Sequence, residues 1–215
     1  MKKIIFIDLD GTLTDSKPGV IGGVRYAAEA VGATMPPDDM LNCFIGPPLT
    51  ASFEKYLGLI GEVNERALKA YREYYVRQGE FENSVYDGVE QMLERLKAVG
   101  CRLYVVTAKP EVFSKTIITH FGLDKYFDQV CGASMDKTRN NKKAVIRYAI
   151  EESKVTDLSE VVMVGDRSDD ILGAKSEGLD SIGILYGYGS RAELEESGAD
   201  WIAATPAEVA EIIIG

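Results

Sequence analysis

The first residues whose types and spacing suit chemistry are Asp8 and Asp10, in the string Asp8-Leu9-Asp10-Gly11-Thr12. Two positions apart, they point to the same side of an extended segment. Two further strings have the same setting, each directly after a short apolar run: Thr107-Ala108-Lys109-Pro110 and Gly165-Asp166-Arg167-Ser168-Asp169-Asp170. Two or three carboxylates brought together without counter-charge repel one another, and some stay protonated. A Mg²⁺ ion resolves that conflict, since it takes a few carboxylate oxygens and keeps waters and a substrate phosphate as its other ligands. Gly11 allows close backbone approach, and Thr12 offers a hydroxyl and an amide to an anion.

These strings need elements that deliver them to one place. The apolar runs Ile4–Ile7, Leu103–Val106, Val161–Val164 and Ile182–Leu185 are rich in β-branched residues, and each is followed by a helical pattern. Val89, Met92, Leu93 and Leu96 have the spacing of one buried helix face, Gly100 stops that helix, and Pro110 suits a first helical turn. Continuous apolar strands alternating with amphipathic helices predict an α/β fold with a parallel sheet covered on both faces. Ligands of such sheets bind beyond the carboxyl ends of the strands. Three runs ending in polar or acidic residues therefore place one site at one sheet edge. Residues 16–84 break the alternation. They show helical patterns, including Val63, Ala67, Tyr71 and Tyr74, punctuated by Pro36-Pro37 and Gly46-Pro47-Pro48. The expected organisation is a core of residues 1–15 and 85–215 and a helical cap domain of residues 16–84 inserted after the first strand.

Asp-x-Asp-Gly-Thr, a strand-end Thr, a Lys and Gly-Asp-x-x-x-Asp together resemble the haloacid dehalogenase superfamily, over the whole chain. Val105–Pro110, Gly46-Pro47-Pro48-Leu49 and Gly187-Tyr188-Gly189-Ser190-Arg191 resemble its phosphoglycolate phosphatase-like branch. The resemblance implies a Rossmann-like core and a Mg²⁺-dependent phosphomonoester hydrolase. Asp8 would be the nucleophile, and Asp10 would protonate the leaving group and later activate water. The Asp8 carboxylate, the Asp10 carbonyl and Asp166 would hold Mg²⁺, with Asp170 supporting them, while Thr107 would bond the transferring phosphoryl group. The family also uses a lysine at the start of the helix before the Val161 strand. Lys142 fits, because Ala144, Val145, Tyr148 and Ala149 then form the buried face; Lys143 is the alternative. Gly46 would belong to a specificity loop, and Gly11, Thr12, Ala108 and Lys109 would line the substrate. Lys109 either touches phosphate or braces the acidic motif.

The whole-chain numbers fit this reading. A chain of 215 residues, 46% of them hydrophobic, can build a packed core of this kind. A net charge of −10 argues against nucleic acid or an anionic membrane as partner, and leaves the bound cation to attract phosphate. No apolar run nears the ~20 residues of a membrane span, Ile4–Ile7 is too short for a signal peptide, and three scattered cysteines build neither a disulfide framework nor a zinc site. A cytoplasmic monomer or homodimer is the expectation. The only histidine, His120, suits a helix end, and Tyr71, Tyr74 and Tyr75 suit packing within the cap. Arg139 and Glu82-Asn83 fit either surface loops or substrate contact. The expected substrate is a small phosphate monoester, of phosphoglycolate or nucleoside 5′-monophosphate type. A sugar phosphomutase of the same superfamily is the alternative, and a phosphate-responsive binding domain a further one. Dehalogenation does not call for Asp10, Asp166 and Asp170 together, and a phosphonatase would need a Schiff-base lysine such as Lys17 or Lys55.

Overall fold

A computed structural model describes residues 2–136 and 138–215. They form two compact units, one made of the chain up to Thr14 with Val85–Gly215, the other of Asp15–Ser84.

The larger unit is built on a six-stranded parallel sheet. Its first strand, β1 (Ile4–Ile7), is central. Two two-residue strands, β2 (Thr14–Asp15) and β3 (Ser84–Val85), pair separately. The sheet continues with β4 (Arg102–Pro110), β5 (Gln129–Ala133), β6 (Val161–Gly165), β7 (Asp180–Ile184) and β8 (Trp201–Ala203), in the order β5-β4-β1-β6-β7-β8. The chain extends to one side of β1 through β4 and β5, then returns to build the other side from β6 outward. The crevice at such a reversal is where open α/β sheets bind ligands.

Alternate residues of β1 enter different cores, as a sheet buried on both faces requires. Ile5 and Ile7 pack with Leu93, Leu96, Leu103, Val105, Val162, Val164 and Val209. Ile4 and Phe6 pack with Tyr104, Val106, Val145, Ile146, Val161 and Met163. The helix Val89–Ala98 buries Val89, Met92, Leu93 and Leu96, the stripe read from the sequence. The strands β5 and β8 were not read from the sequence: Gln129-Val130-Cys131-Gly132-Ala133 and Trp201-Ile202-Ala203 are edge strands, too short or too mixed to show a pattern. Pro110 stands at the N-cap of the helix Glu111–His120, one residue before the first turn, and His120 is that helix's exposed last residue.

The smaller unit is helical, with Lys17–Val31, Leu49–Leu57 and Gly61–Tyr74, the last continuing into a π turn at Tyr75–Gly79. The buried face of Gly61–Tyr74 is rotated from the one read in the sequence. Asn64, Ala67, Ala70 and Tyr71 are buried while Val63 is exposed. Asn64 can enter the core because its amide donates to the carbonyls of Thr50 and Leu59, each at 2.9 Å. Tyr71 stacks on Tyr75, and Tyr74 donates to Glu82 at 2.7 Å, so these tyrosines knit the unit together.

Candidate active site

Parallel register brings the three strings together. Ile7 of β1 stands level with Val105 of β4 and with Val164 of β6. Asp8, Thr107 and Asp166 therefore leave adjacent strands within about one residue of the same level. The amide of Asp8 still donates to Val164 O at 2.9 Å, so Asp8 sits on rigid backbone. Pairing of β4 with β5 is interrupted between Val106 and Pro110, which frees Thr107, Ala108 and Lys109 from regular ladder geometry.

Carboxylate oxygens of Asp8, Asp166 and Asp170 all lie within 4.8 Å of one another, and all three residues are buried. Lys142 meets two of them. Lys142 Nζ is 2.8 Å from Asp8 Oδ1 and 2.6 Å from Asp170 Oδ1, and donates to Val106 O at 3.1 Å. Lys142 opens the helix Lys142–Ser153, whose N-cap Asn141 accepts from the amide of Ala144 at 2.9 Å. A buried cation at a helix N-terminus opposes the helix dipole, so the two carboxylates must hold it there. Lys143 is exposed, 4.0 Å from Glu177. The buried face of this helix is Lys142, Val145, Ile146, Ala149 and Ser153; Ala144 and Tyr148 are half-buried.

Burial sets the electrostatics. It pushes the Asp166 carboxyl up to about 8, with repulsion from Asp170 and Asp8 adding to it. It pushes Asp8 up to about 6, against the pull of Lys142. Burial also draws the Lys142 ammonium down, but Asp170 and Asp8 outweigh it and keep the amine charged. Among the described residues, these three carboxylates and the one ammonium paired with them carry two net negative charges if all ionise. The charge and the all-oxygen donor set fit a hard divalent cation.

Asp10 has its own partner, as Lys109 Nζ donates to both its oxygens at 2.9 and 2.8 Å. Lys109, for which the sequence suggested phosphate or the acidic motif, reaches Asp10. Thr107 is buried, and its Oγ1 accepts from the Lys109 amide at 3.2 Å. Ala108 is half-buried between them. Thr12 differs from its expected role of offering an amide and a hydroxyl to an anion. It is fully buried, its amide donates to Leu9 O at 3.3 Å, and its hydroxyl donates to Asp166 Oδ1 at 3.4 Å. Gly11 has φ +85°, and a Cβ there would lie 2.4 Å from Asp166 Oδ2, so only glycine lets these strand ends approach. Gly46, φ +99°, belongs to the smaller unit.

Arg139, a possible substrate contact by sequence, is turned inward. It donates to Gly132 O at 2.7 Å and Glu111 Oε2 at 2.9 Å, and lies over the Tyr148 ring. Sequence reasoning missed the supports of Asp166. The Tyr188 amide donates to Asp166 Oδ2 at 2.8 Å, and Glu193 Oε1 accepts from the Ser168 amide at 2.8 Å. The Gly-Tyr-Gly string was visible, but nothing in it says which strand end it touches.

Several known proteins are similar to this chain. A 5′-nucleotidase of Pseudomonas aeruginosa is 39% identical over 88% of this chain and 86% of its own length. Tyrosine-protein kinase PtkA of Mycobacterium tuberculosis is 36% identical over 98% of this chain and 71% of its own. A phosphoglycolate phosphatase of Colwellia psychrerythraea is 29% identical over 93% and 92%. The crystal structure of a predicted phosphatase from Clostridium acetobutylicum superposes with a TM-score of 0.94 at 41% identity, covering 100% of this chain and 99% of that one. The sequence profile of the haloacid dehalogenase-like hydrolases runs across residues 4–184, from β1 through the acidic loop after β6 to the end of β7. Over that length, and with a phosphoglycolate phosphatase among its relatives, this chain belongs to the haloacid dehalogenase-like hydrolases and resembles their phosphoglycolate phosphatase-like branch.

Proposed function

We propose that this chain is a Mg²⁺-dependent phosphatase that hydrolyses small phosphate monoesters through an aspartyl phosphate on Asp8. The observation that carries the reading is the trio of buried carboxylates, two of them paired with Lys142. A structural ion-pair network would match its charges; a phosphate site leaves room for a cation and an anion.

The residues divide the work as follows. A divalent cation held by Asp8, the Asp10 carbonyl and Asp166, with Asp170 behind them, would neutralise charge on the phosphoryl group. Asp8 attacks phosphorus in line as the bond to the leaving alkoxide breaks. Lys142 keeps the nucleophile and the incoming phosphate from repelling each other. Asp10 gives a proton to the alkoxide, then takes one from the water that cleaves the aspartyl phosphate. Lys109 holds Asp10 for both transfers, and Thr107 bonds a phosphoryl oxygen. On this reading the helical unit Asp15–Ser84 is the cap, and the expected substrate is a small metabolite. The relatives named for a nucleotidase and a phosphoglycolate phosphatase point to a nucleoside 5′-monophosphate or phosphoglycolate.

The test is phosphate release from a panel of metabolite monoesters, with Mg²⁺ and with EDTA. Turnover with Mg²⁺ and none with EDTA is expected, concentrated on one of those two classes. Return of the phosphoryl group to a second position of a sugar phosphate would mark a mutase, and transfer of label from ATP to tyrosine would mark a kinase; either would displace this reading. Saturating Mg²⁺ at about 100 times its dissociation constant should also raise the melting temperature by about 5–10 °C. For Asp10→Asn, release from an alkyl phosphate should fall about 10²-fold, while a nitrophenyl ester, which needs no proton to leave, should lose much less in its first step. Equal losses on both esters would remove Asp10 from the leaving-group step.

A further inference from the structure

The Gly-Tyr-Gly-Ser-Arg string after β7 has no place in the chemistry above, yet it is folded against the acidic loop at unusually close range. A Cβ on Gly189 would lie 1.8 Å from the carbonyl oxygen of Asp166, and one on Gly187 would lie 2.3 Å from Gly11 O and 2.5 Å from Asp166 Cβ. Between them the Tyr188 amide donates to Asp166 Oδ2 at 2.8 Å. Ser190 then caps the helix Arg191–Ser197, its hydroxyl accepting from the Glu193 amide at 3.1 Å. That cap aims Glu193 back at the loop, where Oε1 accepts from the Ser168 amide at 2.8 Å and from Arg167 Nε at 3.0 Å. Asp166 is therefore followed by two residues tied to one carboxylate of a different helix. Arg167 is the nearest cation in sequence to Asp166, and its bond to Glu193 fixes where that guanidinium points.

We infer that Gly187–Glu193 is a clasp that sets the position of Asp166, with Glu193 as its positioning residue. The inference rests on the reading of Asp166 as a Mg²⁺ ligand. Glu193 does two things for that ligand. It fixes the amide at the start of the helix Ser168–Ser176, on which the loop carrying Asp166 ends. It also balances the charge of Arg167, which without that carboxylate would weigh more heavily against the cation at Asp166. Groups that orient metal ligands in this way are worth about 10–100-fold in metal affinity.

The experiment is a thermal-melt titration of the intact chain with MgCl₂, for wild type, Glu193→Ala, Glu193→Gln and Gly189→Ala. The Mg²⁺ concentration that gives a fixed melting shift over each metal-free protein should rise about 10–100-fold in Glu193→Ala and Gly189→Ala. Glu193→Gln keeps an acceptor for the Ser168 amide but loses the charge facing Arg167, so the concentration it needs should fall between wild type and Glu193→Ala. It also serves if either other variant fails to fold. A fold without the clasp role would lower the metal-free melting temperature and leave that concentration unchanged. Concentrations equal to wild type in folded Glu193→Gln and either other variant would overturn the clasp alone. No Mg²⁺-dependent shift in wild type would overturn the metal reading, and the clasp with it.

Discussion

Replacing Asp8 by Asn is expected to lower phosphate release by about 10⁴-fold or more while the chain stays folded. The amide has the shape of the carboxylate but no nucleophilic oxygen, so the covalent path is closed. Stability should move the other way. The Asp8 carboxyl is pushed up to about 6 by burial. A carboxyl whose folded value lies above its unfolded one takes up a proton on folding. Its cost to stability is absent below the unfolded value of 3.8, builds between there and about 6, and is present in full above that. Asn carries no such cost. In metal-free protein, Asp8→Asn should therefore melt at or above the wild-type temperature at pH 8, with the advantage fading towards pH 4. Loss of activity together with a lower melting temperature at pH 8 would mean that Asp8 holds structure through Lys142 more than it serves chemistry. Retained activity would assign the nucleophile elsewhere.

The opposed effects on activity and stability show why much of this site was legible in the sequence. Polar residues directly after continuous apolar strands break the pattern of a parallel sheet, and Asp8, Thr107 and Asp166 stand out for that reason. The Val89–Leu96 stripe was equally plain, because a helix against a sheet is read by one period. What the sequence hid depends on pairing across long separations. Thr12 sits in a motif, but only the fold shows its hydroxyl spent on Asp166. Arg139 reads as a free loop cation until Gly132, Glu111 and Tyr148 are seen around it. Val63 looked buried by spacing, and it lost its place to Asn64, whose amide found two carbonyls. Glu193 belongs to a surface-looking helix of mixed charge, and nothing local marks it as a partner of the loop after β6. Periodicity finds faces; it does not find which polar groups meet.

Lys142→Met carries the second large effect, and here activity and stability should fall together. Methionine replaces the alkyl stem but leaves Asp8 and Asp170 without the ammonium now 2.8 and 2.6 Å away, and Val106 O without its donor. Removing one member of a buried ion-pair network costs about 3–5 kcal/mol, because the remaining charges stay desolvated. That loss should be largest in metal-free protein at pH 8. It should shrink towards pH 5, since the Lys142 charge is what pulls Asp8 down against burial and its loss leaves the acid easier to protonate. Turnover should fall about 10³-fold even with saturating Mg²⁺, mostly in kcat, because in the proposed mechanism the ammonium balances charge that grows as Asp8 meets the phosphate. Lys143→Met is the matched control. Its amine is exposed and 4.0 Å from Glu177, so melting temperature and turnover should match wild type. The reverse pattern would place the active-site cation at the neighbouring position. It would also require the helix Lys142–Ser153 to turn by about 100°, the angle between successive helical residues, carrying Val145, Ile146 and Ala149 out of the core they share with β1 and β6. A turn that large would empty one face of the sheet, so the packing of its helix, as much as its charge, supports Lys142 in the proposed role.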